Sequence, residues 1–79
     1  KTDATRVAQV GHDGLARSIN PAHLQGDGDP LFVMATGEYE QSANLSIVST
    51  LGAEMVSDAI VRAVKTATGL PGIPAFRDL

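Results

Sequence analysis

The sequence predicts an α/β chain, ordered helix, strand, helix and tail, that cannot close a sheet alone. Three observations lead there. Residues 3–19 and 45–67 repeat apolar residues at spacings of three and four, the period of one helix face. Residues 31–36, Leu-Phe-Val-Met-Ala-Thr, are apolar without alternation, as in a strand covered on both faces. The chain holds one such run, whereas a strand's N–H and C=O groups need neighbours. Residues 1–79 are therefore expected to be part of a single domain, with the missing strands supplied by another polypeptide.

In the first helix, Ala4, Ala8, Gly11, Leu15 and Ile19 mark the stripe, with Val7 and Gly14 beside it. Thr2 or Asp3 is the expected N-cap. Gly11 and Gly14 each cost about 1 kcal/mol against Ala in a helix interior, so a helix that keeps both is expected to bring its backbone close to a neighbour. Asn20-Pro21 ends it, because the residue before Pro avoids the helical region. Residues 22–29 form a loop rich in Gly and Asp, and residues 37–43 a second polar loop with Gly37, Glu38 and Glu40. In the second helix the stripe runs through Leu45, Val48, Gly52, Met55, Val56, Ala59, Ala63 and Val64, widened by Leu51 and Ile60. Asn44 or Ser42 caps it, and Gly69 is the expected C′ residue with Pro71 beyond. Residues 70–79 have no period and are expected as an extended tail ordered by docking.

Composition narrows the function classes. A chain of 79 residues is one domain at most and buries only about 60% of its unfolded surface. It has no Cys, hence no disulfide or thiolate metal site, which fits a reducing compartment. Its aromatics are Phe32, Tyr39 and Phe76, few for an independent core. The net charge is −3 and the six basic residues are scattered, so no nucleic-acid partner is expected. No apolar run reaches the length of a membrane span, and the first ten residues lack a signal-peptide core. No membrane partner and a cytoplasmic location are the expectation.

The candidate chemistry lies in Asp27-Gly28-Asp29, just before the apolar run. One reading is a turn, since Asp and Gly are turn residues and Asp bonds nearby backbone. The other is a functional pair: residues i and i+2 of an extended segment point the same way. Two close carboxylates repel and share a proton, and so can hold an amine or hydroxyl. An EF-hand loop is rejected because Phe32 stands where Gly is needed. Gly26-x-Gly28 precedes a strand, not a helix, the wrong context for a dinucleotide. His12 reads as a solvated or packing residue and His23 as a structural hydrogen-bonding residue that could line the same site. No His/Cys spacing suits zinc, no Gly-x-Ser-x-Gly nucleophile elbow exists, and neither metal nor cofactor is expected.

The ordered set "HDGLAR", "INPAH" and "DGD" before an apolar run, followed by "TGLPGIP", resembles the N-terminal-nucleophile amidohydrolases. That family includes the L-aminopeptidase/D-esterases, β-peptidyl aminopeptidases and nylon-oligomer hydrolases. The resemblance covers nearly the whole chain and implies a small subunit, cut from a precursor that also yields a large one. It implies a four-layer αββα sandwich completed by that large subunit, and a homo-oligomer of the heterodimer. The activity implied is hydrolysis of an amide or peptide bond in a small substrate, by a Ser or Thr whose own α-amine is the base. The nucleophile is expected roughly a dozen residues before Lys1, which is not itself one. Carried over by position, Asp27 and Asp29 match the acidic pair that tunes the nucleophile in the nylon-hydrolase branch; the aminopeptidase branch has Ser-x-Glu there. Pro30 departs from the family's usual Thr, which alters the local backbone. The alternative is a non-catalytic structural subunit or inactive homologue in which the acidic loop is a plain turn.

Overall fold

Two glycines decide how the helices meet. The computed structural model describes residues 1–39 and 41–79; Glu40, expected in the second polar loop, lies outside the described residues. Helix α1 spans Thr2–Gly11, α2 Asp13–Ser18 and α3 Leu45–Thr66. Gly11 and Gly14 are the buried residues of α1 and α2. A Cβ on Gly14 would lie 2.5 Å from the Ala53 carbonyl oxygen and 2.7 Å from Val56 Cβ, so only Gly permits this crossing with α3. A Cβ on Gly11 would meet Leu31 Cδ2 at 3.0 Å, on the side where the apolar segment begins. The close approach expected of this helix is present at both glycines.

The single helix expected over residues 3–19 is two. His12 separates them with helical torsions of −61° and −25°. Its N–H bonds the Ala8 carbonyl at 3.0 Å, and its carbonyl accepts from Leu15 N–H at 3.1 Å. The tighter i to i+3 bond turns the axis without leaving the helical region. Lys1 is the N-cap in place of Thr2 or Asp3, with no side-chain cap bond. Ile19 closes α2 in an extended conformation, just ahead of Asn20-Pro21 as expected. Asn44 caps α3: its Oδ1 accepts from Ile47 N–H at 3.1 Å.

The stripe of α3 is corrected. Its buried residues are Ser49 and Ala53, with Gly52, Val56 and Ile60 half-buried. The larger members of the expected stripe face outward, Met55 being 67% exposed and Val64 53%. Gly52 and Ala53 sit at the approach of α1 and α2, and Val56 fits beside them because Gly14 has no side chain. Gly69 is not the C′ residue either; the C-cap is Ala67, in an extended conformation. Gly69 instead gives way to the returning tail, which sets the Asp78 carboxylate against it and the Ala75 nitrogen 3.1 Å from where its Cβ would be. Residues 70–79 carry a Leu70–Ile73 bridge around Gly72, whose φ is +76°, then a short 3-10 turn over Phe76–Asp78. Arg77 Nη2 donates to the Thr66 carbonyl at 2.9 Å and fastens the tail to α3.

The strand expected at residues 31–36 is also corrected. Among the described residues these form no strand, for want of any segment to pair with. They lie along α1, framing with Ala4 and Ala8 a shallow apolar cavity. Phe32 is 86% and Met34 92% exposed, and Ala53 is the one buried apolar side chain among the described residues. The accessible surface is 6606 Å², against about 4,500 Å² for a free-standing chain of this mass. The radius of gyration is 15.6 Å, against about 12 Å for a compact domain of this length. No helix among the described residues is long and apolar enough to cross a membrane.

Candidate functional site

The loop between α2 and the apolar segment folds against the α1–α2 junction and encloses a cleft of about 380 Å³. Leu15, Ile19, Pro21 and Leu24 form its apolar wall; His12, His23, Asp27 and Asp29 form the polar one. Both candidate carboxylates thus border one cavity.

Asp27 closes a turn with two groups at once. Its N–H donates to the Leu24 carbonyl at 2.8 Å, and its Oδ2 accepts from Leu24 N–H at 2.7 Å. Asp is suited to this because its short side chain reaches backbone three residues back. One oxygen remains free for a ligand. The Asp29 carboxylate makes no hydrogen bond among the described residues, and both aspartates are exposed. The carboxylate most available for chemistry is therefore that of Asp29.

The histidines hold this edge together. His12 Nε2 lies 2.7 Å from the Asp29 carbonyl oxygen, and His12 Nδ1 lies 2.7 Å from His23 Nε2. A carbonyl only accepts, so His12 carries its proton on Nε2. In the neutral ring Nδ1 then accepts from His23 Nε2–H. The ring centroids are 4.8 Å apart and the planes lie 26° from parallel, so the two imidazoles meet edge to edge through this bond. His23 reaches this position from a left-handed backbone, φ 59°, which a non-glycine residue adopts rarely.

His23 does line the site, with a hydrogen bond to another side chain. His12, read from sequence as a solvated or packing residue, is half-buried and faces the cleft. The signal for it was present: Ala8, His12, Leu15 and Ile19 follow one another at spacings of four, three and four, which puts His12 on the helix stripe. Among the described residues, no three His, Asp or Glu side chains gather as a metal ion would require.

Residues 1–75 match Peptidase family S58. Uncharacterized aminopeptidases of Mycobacterium tuberculosis and Mycobacterium bovis are each 39% identical over 87 residues, covering 94% of this chain and 25% of theirs. One of Mycobacterium leprae is 36% identical over 95 residues, covering 95% of this chain and 26% of its own. The chain spans about a quarter of the length of these curated relatives. No solved structure matches it.

Proposed function

The chain belongs to peptidase family S58, and from that premise we propose that it is the small-subunit part of a self-processing N-terminal-nucleophile hydrolase acting on amide or peptide bonds. A Ser or Thr upstream of Lys1 attacks the substrate carbonyl and its own α-amine takes the hydroxyl proton; the tetrahedral intermediate breaks its C–N bond, the departing amine receives that proton, and water hydrolyses the acyl-enzyme that remains. Backbone or large-subunit donors hold the oxyanion. Asp29, and the free oxygen of Asp27, receive the nucleophile's hydroxyl and amine. The Asp-Gly-Asp pattern leans toward the nylon-oligomer-hydrolase branch.

One observation carries the assignment: two carboxylates border a single cleft at the base of an apolar segment that has no ladder partner among the described residues. In the complete protein that segment is a strand of the four-layer αββα sandwich, paired with strands of the large subunit, and the heterodimers assemble into a homo-oligomer. The surface excess of roughly 2,000 Å² over a free-standing chain supports a large area for burial against the rest of the protein.

A structural subunit with an acidic turn is the second reading, favoured by the Asp27 carboxylate's bond to Leu24 N–H. Asp→Asn variants of the full-length protein separate the two. Asn keeps an acceptor for Leu24 N–H, so the Asp27 turn survives the change. Hydrolysis is expected to fall about 100-fold or more in Asp29→Asn, and substantially in Asp27→Asn, with both variants folded by circular dichroism. Near-normal turnover in both would end the catalytic role of the pair and leave the acidic loop a plain turn, whereas a wild-type protein without turnover would favour the structural subunit.

A further inference from the structure

We propose that His12 is a positioning residue for this reaction, fixing the Asp29 main chain through its Nε2–H and fixed in turn by His23. The inference rests on the hydrolase assignment above and names a part of the site that the two carboxylates leave unexplained.

The segment that carries Asp29 has little else to hold it. Among the described residues, the bond from His12 is the one hydrogen bond made by residues 28–30. Gly28 has nothing within 4 Å of where a Cβ would sit, and Pro30 has no N–H to offer. The turn at Leu24–Asp27 ends two residues short of Asp29. Without His12 the Asp29 carboxylate would hang on a chain free to rotate at Gly28.

His12 is suited to be the anchor. Its backbone is tied to α1 through Ala8 and to α2 through Leu15, between buried Gly11, which faces Leu31, and buried Gly14 at the crossing with α3. The bond spans 17 residues, from this rigid junction to the loop. His23 completes the arrangement by donating to Nδ1, which keeps the proton of the neutral His12 on the nitrogen facing Asp29. A left-handed non-glycine backbone persists where its surroundings over-determine it; at His23 it brings the ring to 2.7 Å from His12.

The test compares two replacements of His12 in the full-length protein. His12→Gln keeps an N–H donor at the position of Nε2, whereas His12→Met fills similar space without a donor. With an amino-acid p-nitroanilide as probe, kcat in His12→Met is expected to fall about 10- to 100-fold while KM changes less than about twofold, because a small misplacement of a catalytic group acts on the reacting geometry. His12→Gln is expected to recover most of that loss, with the two variants melting alike. Nitrogen-15 imidazole spectra of the wild-type protein are expected to show His12 protonated at Nε2. Equal kcat in the Met and Gln variants, or a His12 ring with a bare Nε2, overturns the proposal. Asp29→Asn keeps the two inferences apart. An inactive Asp29→Asn beside a fully active His12→Met removes only the positioning role. An active Asp29→Asn removes the catalytic role of Asp29 and with it the positioning role of His12, whereas a wild-type protein that does not hydrolyse the probe removes the hydrolase assignment, and the imidazole spectra then decide the His12 contact alone.

Discussion

Residues 23–29 and residues 31–36 are near neighbours in sequence and opposites in structure. The first stretch is polar and exposed, yet it is pinned by the Leu24–Asp27 turn and the His23–His12–Asp29 contacts. The second is apolar, equally exposed beyond Leu31, and forms no strand. The difference lies in where the partners are. Every group that fixes the polar loop lies within 17 residues along the chain, so the loop can form locally. A strand takes its hydrogen bonds from other strands, and none is present among the described residues. Under the proposed assignment, the chain builds half of its site by itself and leaves the other half to be completed by the rest of the protein.

The widest separation between the two regions comes from Met34→Lys. Met34 is 92% exposed here, so a lysine is harmless unless the segment is covered in the complete protein. There it would bury a charge at a cost of several kcal/mol. Loss of the assembled species on size-exclusion chromatography is expected, and a normal elution profile would mean that this face stays uncovered. A glycine pair probes the helix crossing against the loop. Gly14→Ala forces a methyl against Ala53 and Val56 and is expected to destabilise by about 1–3 kcal/mol. Gly28→Ala enters open space and is expected to change stability by less than about 0.5 kcal/mol. Thermal melting ranks the two, and equal melting points would contradict the close crossing. Asn44→Ala removes the cap on α3 and is expected to cost about 1 kcal/mol, readable as a lower denaturant midpoint.

The helices were legible in the sequence, since their periodicity, Asn44 and the pair Gly11 and Gly14 act over a few residues. The break at His12 was not, because nothing interrupts the apolar spacing there. The face of α3 was misjudged for a physical reason: hydrophobicity favours Met55 and Val64, but the close approach falls at Ala53 and at Val56, which fits there because Gly14 has no side chain. Gly69 had the right residue type for a helix end and serves instead to let the tail pass. The meeting of His12 and His23 depends on a left-handed backbone at a non-glycine residue, which no spacing rule signals. Asp27 and Asp29 were legible as a candidate pair, and the structure sets both on one cleft; their chemical roles are the proposal.

That proposal stands or falls on self-processing. Intact-mass measurement and N-terminal sequencing of the purified full-length protein test it most directly. Two fragments are expected, the smaller beginning with Ser or Thr upstream of Lys1. A single uncleaved chain, or a cut that exposes any other residue, would contradict the account and leave Asp27-Gly28-Asp29 as a turn.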